Sequence, residues 1–333
     1  MTKTWTACDI SDVVRSFQPA CVLAAGADWD VFTSLHEEAM TAPALARKLG
    51  ADPRAMAILL DALAAMELLA KRDDLYTVPE GVASFLTERS PESILPMIRH
   101  QGNCLRRWAL LAEVVRTGNP AEAGPSVRGA AADQADFIGA MQNVSGPIAA
   151  EVVARLQPLQ FQQMLDVGGG PGTWTIALLR AVPDSRATLF DLPPVVPMAR
   201  ERIAEAGLGE RVRLVPGDYY TDELPGGADL VWLGAICHQN SREQNRALFS
   251  KVYKALVAGG AVVIRDIVMD PSRTRPKAGA LFAVNMLVGT QAGGTYTFDE
   301  YREDLCAAGF AEVVLVHQEE SMSCLIRAKK QGK

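Results

Sequence analysis

The apolar positions of this chain change period about halfway along it. In the first part they recur at helical spacing. Residues 11–27, with Val13, Val14, Phe17, Val22, Leu23, Ala24 and Ala25, read as helical, and so do residues 29–35, with Trp29, Val31, Phe32 and Leu35. Thr41 to Gly50 predicts a short helix with Pro43 in its first turn and Gly50 as its stop. Asp52-Pro53 caps a further helix over 53–69, which carries Met56, Leu59, Leu60, Leu63, Met66, Leu68 and Leu69. After Lys71 to Asp74, Leu75 to Pro79 reads as a short strand, followed by a helix to Leu86. Pro91 to Pro96 is a break, 97–117 one long helix, 117–126 a loop, and 133–156 a helix or pair broken at Gly146-Pro147. Further on, short apolar runs take over. Met164–Val167, Arg186–Asp191, Val212–Asp218, Asp229–Ile236 and Ala261–Asp266 read as strands. Helices are expected over 174–182, over 241–256 with Gly259-Gly260 as its end, and over 298–310; residues 312–317 and 323–328 form a closing antiparallel pair. This alternation predicts the α/β class with a doubly wound sheet.

Helices followed by a β wing form a winged-helix pattern, and such modules often bind DNA. The second-helix candidate, 53–69, is apolar almost all round and carries Arg54, Asp61 and Glu67. A groove-reading helix shows more Arg, Lys, Asn or Gln, and an apolar helix is a buried one. The module therefore reads as a dimerisation domain. The net charge of −6 argues the same way, against a large nucleic-acid footprint. A length of 333 residues suggests two domains. With 49% hydrophobic and 22% charged residues, the chain can build a packed core. Cys8, Cys21, Cys104, Cys237, Cys306 and Cys324 form no C-x-x-C pair, which suggests reduced thiols in the cytoplasm and neither a disulfide framework nor a zinc site. The N-terminal residues lack a signal-peptide core, and no unbroken apolar run of about 18 residues is present, so no membrane span is expected.

Candidate chemistry centres on Asp166-Val-Gly-Gly-Gly-Pro-Gly172. A strand, a tight glycine turn and a helix start let a ligand approach the backbone, and the helix N-terminus suits a carboxylate or phosphate. The dinucleotide fingerprint G-x-G-x-x-G is met at Gly168 and Gly170 but fails at Thr173. The form Asp-x-Gly-x-Gly-x-Gly looks like the first motif of S-adenosylmethionine (SAM) dependent methyltransferases; a nicotinamide cofactor is the competing reading. Asp191 lies about 20 residues beyond the turn, where a carboxylate accepts hydrogen bonds from a ribose diol. Both cofactors carry that ribose, and a plain helix cap before Leu-Pro-Pro is the alternative. Phe137 and Met141 share a helix face, as core packing or as the lining of a site. His238 follows the fourth strand, where doubly wound folds bind ligands; a satisfied histidine at a helix start is the alternative.

Taken in order, the winged-helix module, Phe137-x-x-x-Met141, Leu165-Asp-Val-Gly-Gly-Gly, Phe190-Asp-Leu-Pro, Gly217-Asp218 and Cys237-His238 resemble the two-domain SAM-dependent O-methyltransferases. That family includes plant caffeate and flavonoid enzymes and bacterial antibiotic-tailoring enzymes, and the resemblance covers nearly the whole chain. It implies a Rossmann-like methyltransferase sheet behind a mainly α, winged-helix dimerisation domain. The domains would be 1–102 and 103–333, with 103–156 as linking helices that help line the acceptor site. It implies SAM as cofactor, S-adenosylhomocysteine (SAH) as product, no metal, a small aromatic hydroxyl acceptor and a cytoplasmic homodimer, with neither nucleic acid nor membrane as partner. By position it assigns Asp166, Gly168, Gly170, Asp191, Leu192, Asp218 and Tyr219 to the cofactor, Asp218 toward the adenine amino group and Tyr219 on the ring. His238 becomes the general base, steadied by Asp266. Trp108, Phe137, Met141, Asn285 and Met286 become acceptor-pocket candidates, each of which also fits core packing. The base assignment makes chemical sense: an ordinary imidazole titrates near pH ~6.5, and a carboxylate on Nδ1 stabilises its cation. The chain departs from the plant type at Gln239 (Asp there), at Gly234 (Lys there) and near Gly293-Gly294, where Tyr296 stands close to the place of a second acid. SAM-dependent methylation of N, S or C, and a SAM-sensing DNA-binding regulator, are the other readings.

Overall fold

A computed structural model describes residues 4–120 and 122–332. Met1–Lys3, where the N-terminal stretch begins, Ala121, inside the loop expected over 117–126, and Lys333 lie outside the described residues. The chain forms two compact units, one of Met1–Ala109 and Glu122–Asn143, the other of Leu110–Ala121 and Val144–Lys333.

The first unit begins with α1 (Ala7–Arg15), capped by a reciprocal pair in which Asp9 N–H donates to the Thr6 hydroxyl and Thr6 N–H to the Asp9 carboxylate. There follow α2 (Phe17–Asp28), α3 (Val31–Glu37), β1 (Met40–Thr41), α4 (Ala42–Leu49), α5 (Pro53–Ala65), β2 (Ala70–Arg72), β3 (Leu75–Thr77), α6 (Glu80–Leu86) and α7 (Leu95–Trp108). The chain then supplies α8 (Leu111–Thr117) to the second unit and returns for α9 (Ala130–Ser145). The three strands form an antiparallel sheet in the order β1-β3-β2. Phe32, Leu35, Leu45, Leu60 and Leu63 fill the core beneath them.

Three expectations are corrected here. The helix expected over 53–69 stops at Ala65, because Glu67 adopts φ 60° and Leu68 N–H bonds back to the Leu63 carbonyl; residues 70–72, just beyond, pair with β3. Nor is α5 buried all round. Met56, Leu60 and Leu63 face the core, while Ile58 is 57% exposed. The long helix expected over 97–117 is two, α7 and α8, and Pro96 belongs to the first turn of α7. The break at Ala109-Leu110 has no Gly or Pro to announce it; it falls where the chain changes unit.

The second unit continues with α10 (Ala149–Ala154), β4 (Gln163–Val167), α11 (Thr173–Ala181), β5 (Arg186–Asp191), α12 (Val196–Glu205), β6 (Val212–Pro216), β7 (Ala228–Gly234), α13 (Arg242–Ala255) and β8 (Leu256–Asp266). After these come β9 (Val268–Met269), α14 (Lys277–Gly289), β10 (Tyr296–Thr297), α15 (Phe298–Ala307), β11 (Ala311–His317) and β12 (Cys324–Lys329). The sheet order is β11-β12-β8-β7-β4-β5-β6, parallel from β8 to β6 and closed by the antiparallel pair expected from the sequence. Its inner strands are apolar on both faces, as buried parallel strands are. Leu248, Phe249 and Val252 of α13 pack with Tyr301 and Leu305 of α15 in one core. Val152 and Val153 of α10, Leu178 and Leu179 of α11 and Ile203 of α12 pack in the other.

Gly259 and Gly260 do not end a helix. α13 stops at Ala255 and the glycines lie within β8, where its register on β7 shifts. Gly259 takes φ 80°, and the pair exchanges backbone bonds with Lys330. The third strand ends at Pro216, which leaves Asp218 in the loop beyond. α12, α14 and the β9–β10 pair had no counterpart in the sequence reading.

Candidate active site

The strand order reverses between β4 and β7, so the carboxyl ends of these two strands open a crevice. The glycine turn leaves β4, and the segment bearing His238 leaves β7.

Gly168, Gly170 and Gly172 all adopt left-handed backbone (φ 67°, 54° and 81°). A Cβ on Gly168 would lie 2.4 Å from Ile236 Cδ1, whereas one on Gly170 would meet nothing within 4 Å. The turn is thus packed on its protein side and open at Gly170. Gly170 N–H donates to Asp191 Oδ2 at 2.7 Å and Leu192 N–H to Asp191 Oδ1 at 2.7 Å. Each Asp191 oxygen keeps a lone pair for a further donor; burial raises this carboxyl, against the two N–H bonds that lower it. Leu192 is exposed. Asp166 is fully buried, and Thr175 Oγ1–H donates to its Oδ2 at 2.6 Å. Burial pushes its carboxyl up to about 7, with the Thr175 hydroxyl opposing. Asp218 Oδ1 accepts the Tyr220 N–H at 2.8 Å. Tyr219 packs against the core, beside Tyr220.

His238 sits in a short turn, Cys237–Gln239, and is 6% exposed. Its Nδ1 is 2.9 Å from Asp266 Oδ1 and 3.1 Å from Oδ2. Its backbone N–H donates to Asp266 Oδ2 at 3.2 Å, and Ile267 N–H to Oδ1 at 2.8 Å. A carboxylate so placed fixes Nδ1–H, and leaves Nε2 as the basic nitrogen. The structure therefore brings His238 and Asp266 together. Around them it adds Phe282, Asn240 and Asn245, which the sequence reading did not single out, and joins them to Tyr219, Gly294 and Tyr296, which it did. The Phe282 ring meets the imidazole edge-on at 4.8 Å. Asn240, fully buried, accepts the Tyr220 hydroxyl at 2.5 Å and the Tyr219 hydroxyl at 3.4 Å on Oδ1, and donates to Asn245 Oδ1 at 3.0 Å. Asn245 Nδ2 donates to the Cys237 carbonyl at 3.0 Å. The Tyr296 hydroxyl donates to the Asn240 carbonyl, and burial pushes that phenol up to about 12. Gly294 N–H donates to the His238 carbonyl at 2.9 Å. The 237–240 turn is thereby pinned from several elements.

The acceptor candidates are distributed over both units. Trp108 ends α7, and Phe137 and Met141 lie on α9, in the first unit; the Phe137 ring packs tilted on His100 at 5.2 Å. Asn285 and Met286 lie on α14 in the second, Met286 buried and Asn285 half-buried.

A family model described as an O-methyltransferase domain matches residues 108–311, and one described as an O-methyltransferase dimerisation domain matches residues 12–88. The chain is 32% identical over 313 residues to the tetracenomycin polyketide synthesis 8-O-methyl transferase TcmO of Streptomyces glaucescens, spanning 92% of this chain and 91% of that protein. It is 31% identical over 309 residues to the 3-hydroxy-5-methyl-1-naphthoate 3-O-methyltransferase of Streptomyces sahachiroi, spanning 91% and 89%. Among solved structures, human N-acetylserotonin methyltransferase in complex with SAM matches with a TM-score of 0.82 at 26% identity, over 99% of this chain and all of that one. Sheet, glycine turn and relatives define a SAM-dependent methyltransferase, which replaces the nicotinamide reading of the turn. Within that class, the chain belongs to the O-methyltransferase family.

Proposed function

We propose that this enzyme methylates a phenolic hydroxyl on a fused-ring aromatic molecule, with His238 as the base and Asp266 as its support. The observation that carries the mechanism is the buried His238–Asp266 pair at the carboxyl edge of the sheet. The acceptor class follows the tetracenomycin and naphthoate relatives. Asp166, Gly168, Gly170, Asp191, Leu192, Asp218 and Tyr219 are the residues that would hold SAM. The open front of Gly170 fits a close-lying ligand, and the spare lone pairs of Asp191 fit a ribose diol. Tyr219, set into the core, steadies the loop that presents Asp218. When bound, SAM supplies a methyl group already activated on its sulfonium. The protein's task is then to hold the acceptor in line and take its proton. His238 Nε2 removes the hydroxyl proton, Asp266 stabilises the imidazolium through Nδ1, and the acceptor oxygen is left nucleophilic. Trp108, Phe137, Met141, Asn285 and Met286 remain the residues assigned to acceptor recognition.

We further assign a homodimer and a cytoplasmic setting. Ile10, Val13, Val14 and Phe17, in and just after α1, are exposed, and α1 buries no residue of its own. All six cysteines are unpaired, and no described helix is long and apolar enough to cross a membrane. The acceptor is tested by incubating the enzyme with methyl-labelled SAM and a panel of hydroxylated naphthalenes, anthraquinones and indoles. Label on oxygen of a fused-ring phenol is the expected result. Label on carbon or nitrogen, or none on any phenol, would contradict the acceptor assignment.

A further inference from the structure

The turn that carries His238 is one short 3-10 turn, Cys237–Gln239, and its carbonyls are held from elsewhere in the chain. Gly294 N–H donates to the His238 carbonyl at 2.9 Å, and the Tyr296 hydroxyl to that of Asn240. Asn245 Nδ2 donates to the Cys237 carbonyl at 3.0 Å. That last bond sets the direction of a chain of side chains. With Nδ2 committed to a carbonyl, Asn245 turns its Oδ1 toward Asn240, whose own Nδ2 donates to it at 3.0 Å. Asn240 Oδ1 then faces the Tyr220 and Tyr219 hydroxyls, at 2.5 and 3.4 Å. Reversing either amide would set oxygen against oxygen, so both phenols must donate. Burial pushes the Tyr219 phenol up, which keeps its proton in place. Asn240 and Asn245 are both buried, so water does not compete for their bonds.

The two tyrosines follow Asp218 in the loop beyond β6. Tyr220 N–H donates to Asp218 Oδ1 and Asp218 N–H to Asp222 Oδ2, both at 2.8 Å. Lys251 of α13 closes the loop from the other side. Its ammonium donates to the carbonyls of Tyr219, Tyr220 and Asp222 at 2.8, 3.1 and 2.8 Å. Asn245 stands on the same helix, so α13 holds both the loop of Asp218 and the turn of His238. Between them lies Asn240, whose one amide bonds to the loop through its oxygen and to α13 through its nitrogen. Such a brace matters for a base, because a misplacement of about 1 Å can cost roughly 100-fold in rate.

We propose that Asn240 is a positioning residue for the methyl transfer. It braces the turn of His238 against the loop of Asp218 and Tyr219, and so holds the base in register with the cofactor. This role rests on the base and cofactor readings above. The test is turnover of a hydroxynaphthalene with methyl-labelled SAM, with SAH affinity measured on the same samples. Tyr220→Phe and Asn240→Leu are compared, each alone and each combined with His238→Ala. Asn240→Leu should lower kcat roughly 10- to 100-fold. Tyr220→Phe, which removes one hydroxyl, should lower it roughly 3- to 10-fold. SAH affinity should stay within about twofold in both. In the His238→Ala background neither substitution should change the residual turnover by more than about twofold, because the group they position is gone. Tyr220 is half exposed and its variant keeps the ring, so it decides the matter alone if Asn240→Leu does not fold. The same fold-loss with and without His238 would mean a merely structural role and overturn the proposal. So would unchanged turnover in Tyr220→Phe, or a loss of SAH affinity equal to the loss of turnover, with the base reading left intact. Full turnover in His238→Ala, or a wild type that methylates no phenol, would remove the base reading and this role with it.

Discussion

At His238 the protein commits one ring nitrogen to a buried carboxylate and leaves the other for a proton. The geometry predicts a specific failure for Asp266→Asn, whose amide keeps the shape but loses the charge that favours the imidazolium. Turnover should fall by about 10²–10⁴-fold with SAH affinity unchanged; a loss of SAH binding in equal measure would make Asp266 a cofactor-site residue. A second residue-scale prediction concerns Asp166, whose carboxyl burial raises to about 7 from an ordinary 3.8. A folded-state value above the unfolded one means the folded chain holds the proton more tightly. Its contribution to stability is therefore full below about pH 4 and is lost as pH rises through about 7. The difference in Tm between wild type and Asp166→Asn should shift against the wild type across that window; a difference constant with pH would contradict the assignment. The positions of Asp166, Asp191 and Asp266 at strand ends, and of His238 just beyond one, were legible in the sequence because the apolar runs mark where the strands stop. Asn240 and Phe282 were not, because their contacts are with partners distant in sequence.

Among the elements, α13 and α15 are tied by one buried carboxylate. Asp304 Oδ2 accepts from Arg242 Nε at 2.9 Å, and its Oδ1 from Arg242 Nη2 at 2.8 Å and Arg246 Nε at 2.6 Å. Asp304 is buried while Arg242 and Arg246 are partly exposed, so losing its charge-assisted bonds in Asp304→Ala should cost about 1–2 kcal/mol in denaturant unfolding. A cost under about 0.5 kcal/mol, the size of a surface substitution, would show the clamp to be idle. The parallel strands were legible because buried strands carry their own apolar runs. Where the sequence misled, the stop signal was not where habit puts it. Glu67, not a glycine, takes the left-handed position after α5, and Gly259 takes its left-handed position inside a strand. α14 stayed hidden because Ala280 to Val288 is apolar around nearly its whole circumference and shows no helical period.

At the scale of the whole molecule, the apolar face at α1 argues for a second copy. Val13→Glu with Phe17→Glu should leave a monomer in light scattering; a monomeric wild type, or a dimer that survives both charges, would contradict that interface. The central claim, however, is that a methyltransferase sheet presents His238 as the base for a hydroxyl acceptor. It is tested most directly by comparing His238→Ala with wild type in turnover of a phenolic acceptor, with SAH affinity measured on the same samples. A fall in kcat of about 10²–10⁴-fold with SAH binding preserved is the result this account predicts. Full turnover in the variant would contradict it, and would mean that the acceptor reaches the methyl group without a base.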